Sequence, residues 1–373
     1  MDFNNKGFPS SFDIVHLPFD LSEATVEFIP IDTMKFTHDN NTYTVSSAEM
    51  ITYGKKGVGI NQTQIQFSEL KNQLTSFFGQ GGLLEIPSNL ASVSFSESFL
   101  VTPLVFMIPN DLGPNAAYIR YNNITVDGFD AIVVEPPDYD GPHTSMTVPY
   151  YSFLPGKYDL GSVTIEVGFI DTKKVQGDYA EAGNEIGWDR VTLSQNYPNL
   201  SVITSIQTMN NEENNIPNEP SKPWITPTVK IVDDRTFDVT LDRSETSAGI
   251  VSVPERIGYI AFSANQQSSF TDFNSNNIFI ETIFSNNIVG WDDNGGTNVQ
   301  YVGNYSEIPL VLASINSRKS SEGGWLRYGI DDTTTSAVNL KIDHDSEQNA
   351  ERNHTAEDAG ILIISRDFIL KNI

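Results

Sequence analysis

Two histidines in this 373-residue chain stand in the same local phrase, His143-Thr144 and His354-Thr355, each just ahead of an apolar run. An imidazole at a strand-end loop can ligate a metal or bond a sugar hydroxyl. His143, Thr144, His354 and Thr355 are therefore candidate ligand-binding residues, against the competing reading of side chains that tie a loop to its sheet. A copy between them carries Val251-Ser252 instead. Trp325 joins the candidates as a platform for a sugar ring, with Trp224 and Tyr118 in related places; packing between repeats is the alternative, since large aromatics carry sandwich cores. Asp343, Asp345 and Glu347, in Asp343-His-Asp-Ser-Glu347, are the densest acidic run, and Trp291-Asp-Asp-Asn-Gly-Gly296 is the second. Calcium takes about six to eight oxygens, so these three carboxylates are candidate calcium ligands. Neither run has the helix-loop-helix calcium spacing, and a solvated loop explains both.

Catalytic arrangements are missing. Glu255 and Glu357 are two carboxylates in matching phrases, but they lie in different copies, too far apart along the chain to flank one glycosidic bond. There is no G-x-S-x-G, no phosphate-binding loop and no zinc spacing. With no cysteine, thiolate chemistry and disulfides are excluded. The reading is a non-enzymatic protein without a cofactor, calcium being the one candidate.

Composition narrows the partners. Lys and Arg number 22 against 48 Asp and Glu, a formal charge of −26. Nucleic acid needs clustered basic residues, so binding to it is excluded, as is attraction to anionic membrane surfaces. No run reaches the ~18 apolar residues of a membrane span, and the first residues lack a signal-peptide core. Charged residues are only 19% and aromatics 11%, a mixture suited to β-sandwiches with polar loops.

The elements that must position these residues read as strands. Ile231 and then Phe237, Val239 and Leu241 alternate with polar partners around Asp233-Asp234, and Ile257 to Phe262 follows after a loop. The phrase recurs from Trp325 to Ile364 and, more loosely, from Ala117 to Leu154. Phe169 matches Phe279, Trp188 matches Trp291, Trp224 matches Trp325 and Gly258 matches Gly360, at a spacing of roughly 100 residues, one sandwich per repeat. The fold class is all-β: tandem antiparallel β-sandwich repeats with a small mixed α+β N-terminal module. The divisions are 1–83, an attachment module; 84–160, a divergent first repeat; 161–264, the second; and 274–373, the third, with 263–277 a flexible linker. Within 1–83, Phe67 to Phe78 carries an apolar stripe at helical spacing, ended by Gly79 and Gly81-Gly82.

The repeat phrase resembles the H-type-lectin-like β-sandwich repeats of virion spike or fibre proteins and of surface carbohydrate-binding proteins. An aromatic-led strand enters a proline-apolar run at Phe99…Pro103-Leu-Val-Phe and Tyr305…Pro309-Leu-Val-Leu. Asn123-Ile-Thr-Val-Asp-Gly-Phe-Asp-Ala follows, and Pro149 to Leu154 closes the unit. The second copy lacks the proline, at Ser201-Val-Ile. The resemblance implies antiparallel sandwiches, an oligomer, and in some members sugar binding through strand-end loops; it carries no sugar ligand over to a residue here.

Function is expected in a virus or phage particle, as a spike, fibre or capsid-associated subunit with lectin-like repeats facing outward for host attachment. The alternative is a secreted or surface carbohydrate-binding lectin, extracellular rather than in the virion. Partners would be other structural proteins of a particle, cell-surface carbohydrate and further copies of the chain. Phe8, Phe12, Ile14, Leu17 and Phe19 crowd near the start of the sequence as attachment residues that order on contact; an internal strand is the competing reading.

Overall fold

The computed structural model describes residues 77–371, except 180–181, 215–217, 294 and 349, and the backbone of five strands before them. Those five are β1 (Thr25–Ile29), β2 (Thr33–His38), β3 (Asn41–Ser46), β4 (Met50–Tyr53) and β5 (Thr63–Gln66); β1, β2 and β3 form one antiparallel sheet and β4 pairs with β5. The chain is all-β, with several antiparallel sheets and no helix among the described residues. The expected helix falls outside the described residues at 67–76. Its last two residues, Phe77 and Phe78, are strand. The attachment residues Phe8, Phe12, Ile14, Leu17 and Phe19 also lie outside the described residues.

From Phe77 onward one strand order appears three times. Unit one contains β6 (Phe77–Ile86), β7 (Ala91–Ser94), β8 (Leu104–Met107), β9 (Tyr118–Asn122), β10 (Gly128–Val134) and β11 (Met146–Phe153). Unit two contains β12 (Gly156–Leu160), β13 (Val163–Thr172), β14 (Lys174–Gln176), β15 (Glu185–Ile186), β16 (Asp189–Thr192), β17 (Leu200–Ile206), β18 (Thr226–Ile231), β19 (Thr236–Asp242) and β20 (Glu255–Ser263). Unit three contains β21 (Gln266–Thr271), β22 (Asn277–Ile288), β23 (Thr297–Gln300), β24 (Leu310–Ile315), β25 (Trp325–Tyr328), β26 (Ala337–Asp343) and β27 (Glu357–Ile364), and the last strand is β28 (Phe368–Lys371). The four-stranded sheets run β28-β6-β11-β8, β12-β13-β20-β17 and β21-β22-β27-β24. Beside them stand β7-β10-β9, β16-β19-β18 with the short parallel additions β14 and β15, and β23-β26-β25. Each pairing of a four-stranded with a smaller sheet is compatible with a β-sandwich.

Equivalent positions can be read from the ladders. Phe106 opposes Tyr151, Ile203 opposes Ile260 and Leu312 opposes Leu362, and all six belong to one core shared by the three units. On the other face, Val105 packs with Phe129 and Val202 with Phe237 in separate cores. Each four-stranded sheet is thus covered on both sides. That is why β17 and β24 are buried at every residue, while the outer strands β7, β16 and β23 bury at most one of four. Continuous apolar runs mark two-sided burial, and alternation marks one-sided. Phe237, Val239 and Leu241 lie in the core of unit two, as the alternation in β19 predicts.

Four details differ from the sequence reading. The division at 83/84 falls inside β6, which pairs along its length with β11. Gly79 and Gly81, read as a helix stop, sit in this strand because a side chain there would strike the rings of Phe153 and Phe368. The supposed flexible linker 263–277 contains β21, the edge strand of unit three. Finally, Phe169 opposes Gly258 and Phe284 opposes Gly360, so the partner of Phe169 is Phe284, five positions beyond the matching Phe279. Similar short phrases had slipped along the ladder.

Candidate functional site

The loops that follow β10, β19 and β26 come from three units and meet at one end of the shared core. Beneath them lie the aromatics. Trp224 and Trp325 are 5.0 Å apart at ring centroids, tilted by 57°, and share a cluster with Tyr118, Ile132 and Val134. Trp325 is 2% exposed and its indole N–H donates to the Ala117 carbonyl at 2.8 Å. Trp325 begins β25 and opposes Asp343, whereas Trp224 lies two residues ahead of the corresponding strand β18, whose first residue Thr226 opposes Asp242. A cavity of ≈ 20 Å³ beside Tyr118, Thr204, Ser314 and Trp325 has room for about one water. No sugar ring can reach this face of Trp325.

His143 and His354 hold equivalent places. Both are buried, both are followed by an exposed threonine, and both set Nδ1 against that threonine's carbonyl, Thr144 at 3.1 Å and Thr355 at 2.7 Å. The ring of His354 also faces the Gly323 carbonyl through Nε2. His344 faces two carbonyls, Asp345 at 2.8 Å and Asn353 at 3.2 Å. Neither His344 nor His354 has a ring nitrogen left for a metal. Burial lowers the pKa of His143, which favours the neutral ring. His344 and His354 tie their loop to Asn353 and Gly323, whereas His143 bonds to the carbonyl of the next residue.

The carboxylates proposed for calcium do not converge. Asp343 is fully buried and meets Arg327 at 2.9 Å and the guanidinium of Arg352 through Nε at 2.8 Å. Asp345 accepts the Glu245 N–H at 2.9 Å and the Glu347 N–H at 3.2 Å, and Glu347 accepts the Ser247 N–H at 3.1 Å. Among the described residues no group of three or more His, Asp or Glu has the placing of a metal site. The second acidic run is a lid on the arginines instead: the Trp291 ring lies 3.9 Å from the Arg352 guanidinium and 4.6 Å from that of Arg327, and Asp292 accepts the Arg352 N–H at 2.9 Å.

Arg327 and Arg352 reach further. Arg327 donates to the carbonyls of Asn110 at 2.7 Å, Asn115 at 2.7 Å and Leu112 at 3.0 Å, and Arg352 donates to Pro114 at 2.8 Å. Unit three thereby holds the loop 110–115 of unit one. Arg318 crosses to Asp242 of unit two at 2.8 Å, and Arg120 of unit one donates to the Thr208 carbonyl at 3.0 Å. Burial raises the pKa of Asp242, and Arg318 opposes that shift. None of these arginines was singled out in the sequence. The signal was present in Tyr118-Ile-Arg120 and Trp325-Leu-Arg327, an arginine two places after the aromatic that opens a strand. Glu255 and Glu357 likewise prove to be matched structural groups: Glu255 receives the N–H groups of Asn210 and Asn211, and Glu357 those of Lys319 and Ser320.

No family model, no curated protein and no solved structure matches this chain.

Proposed function

We propose that this chain is a non-enzymatic structural and binding component of a virus or phage particle, made of three sandwich repeats fused about one core. In this reading the segment before β6 docks to the particle and the repeats face outward for attachment to a host. One observation carries it: residues that sequence spacing offers for chemistry are taken up in the joints between units, with Trp224 on Trp325, Asp345 and Glu347 on the backbone of Glu245 and Ser247, and Asp343 on the Arg327 that holds the 110–115 loop. A head joined so thoroughly is suited to bearing load and presenting loops. The lectin alternative keeps only Thr144 and Thr355 as exposed candidates, since His143, His354 and Trp325 are all under 10% exposed.

The test is incorporation. Full-length chain and a form lacking residues 2–20 are compared in purified particles from the source, with the melting temperature of each measured alone. The reading expects the full chain in particles and the shortened one folded but absent from them. A full chain missing from particles ends the proposal. A shortened chain that melts lower by itself ends the docking role of Phe8, Phe12, Ile14, Leu17 and Phe19. Saturable binding to a glycan array without particle association would favour the lectin.

A further inference from the structure

One edge strand of each four-stranded sheet is the one that follows directly on the last strand of the preceding unit. β12 leaves β11 of unit one and pairs with β13, and β21 leaves β20 of unit two and pairs with β22. Both then turn directly into their partner, so the pair is a covalent hairpin. The same place in unit one is filled by β28, which leaves β27 of unit three and pairs with β6: Phe368 opposes Gly81, Ile369 opposes Gln80 and Leu370 opposes Gly79. No hairpin joins these two strands. Their pairing is held by ladder bonds and side chains alone.

The groove that receives β28 is shaped for it. Phe368 and Leu370 are 2% and 4% exposed, and Phe368 packs on Tyr151 at 5.4 Å and Phe153 at 5.9 Å. Glycines opposite both leave the space: a Cβ on Gly81 would stand 2.5 Å from the Phe368 ring, and one on Gly79 would crowd Phe153 and Leu370. Without an occupant, the edge of β6 would present unpaired backbone groups beside bare aromatic rings, which is a template for another strand. The occupant that fits is one with the same sequence.

We propose that the β6 edge is a strand-acceptor surface whose partner is β28 of a second copy of this chain, exchanged reciprocally to give a strand-swapped dimer. Every contact of β28 is reproduced in the exchange. Only the link Ser365 to Asp367 changes course, and a short hinge segment between a packed body and the strand it delivers is where such exchange occurs at little cost. This inference is independent of the particle reading.

The chain has no cysteine, so a pair can be introduced cleanly. One copy carries Gln80→Cys and a differently tagged copy carries Ile369→Cys; the two are co-expressed, oxidised and run without reductant. A single chain bearing both substitutions shows whether the geometry closes a disulfide, and a copy with Val302→Cys, at an exposed position, sets the background of chance encounters. Exchange predicts a covalent heterodimer on the order of 100-fold above that background, because positions opposed in a ladder meet at far higher effective concentration than free molecules. The proposal is overturned if the doubly substituted chain closes its own disulfide while the mixed copies stay at background. Light scattering of the unsubstituted chain, refolded at high concentration, gives a second readout. A dimer that persists on dilution supports the exchange, and a monomer under all these conditions rejects it.

Discussion

Between the central strands, units two and three meet through a side-chain amide, with the Arg318–Asp242 pair set apart from it, whereas the corresponding place between units three and one is taken by guanidinium groups. Asn316 lies across the backbone of Val202, accepting its N–H at 2.8 Å and donating to its carbonyl at 2.7 Å. Gln207 does the same to Val105 between units two and one, at 2.8 Å in both directions. Asn110 holds the corresponding place in unit one but turns inward, donating to the Thr147 carbonyl of its own unit. The backbone carbonyl of Asn110 instead receives Arg327, which comes with Asp343, Arg352 and the Trp291 ring. A neutral amide that replaces a strand neighbour asks little of its surroundings. A buried guanidinium must bring its own counter-charge, and each part then depends on the rest.

The comparison can be broken most sharply at Asp343. Asp343→Ala strands two buried arginines, and we expect a loss of about 5 kcal/mol, the upper end for breaking a buried pair. Chemical denaturation measures it, and a loss near that of a surface substitution would show that the arginine seam is not what holds unit three to unit one. Phe237→Ala, inside unit two and away from both seams, should cost about 4 kcal/mol through transfer and cavity terms. A cost under ~1 kcal/mol there would mean that the side chains of β19 alternate in the opposite sense. Asn316→Ala leaves the N–H and carbonyl of Val202 buried without partners and should cost about 2 kcal/mol; if it equals Asp343→Ala, the two seams do not differ in kind.

The smallest expected effect sharpens the seam between units two and three. There the Glu245 N–H donates to Asp345, and burial raises the pKa of both carboxyls, Glu245 to about 7 and Asp345 to about 6. Asp345, Glu322 and Glu351 face Glu245 with like charge, and His344 opposes them. A raised folded pKa means the folded state holds protons that the unfolded chain has released, so stability is greatest below the ordinary carboxylate range and declines as pH rises through 6 and 7. The melting temperature should fall by about 2–4 °C between pH 5 and pH 8 from this source. Glu245→Gln should flatten that slope, and an unchanged slope would assign it elsewhere.

Much of the fold was legible because strand periodicity is local. The alternation around Phe237 placed its side chain, and the paired histidine phrases marked matching loops. The five-residue slip between Phe279 and Phe284 shows the limit: a short apolar phrase looks alike at several registers, and only the opposing strand selects one. Gly79 and Gly81 show another, since a helix stop and a strand cleared for Phe368 read identically until the distant ring is in place. For the candidate site, the residue types and their equivalence were visible, but their roles were not. Arg327 can be read as solvent-facing until Asp343 and the 110–115 loop surround it.

The sequence by itself determined that this chain is all-β, that its phrases recur at sandwich length, and that cysteine chemistry is absent. Those follow from composition and from side-chain alternation, which act over a few residues. Tertiary structure alone decided that three four-stranded sheets share one core and that β28 closes on β6. It also decided that Asp343 serves two arginines rather than a cation. The physical reason is separation: β6 and β28, like Arg327 and Asn110, lie more than two hundred residues apart along the chain. No local preference specifies such a meeting, which arises only when every apolar face and buried charge finds its cover together.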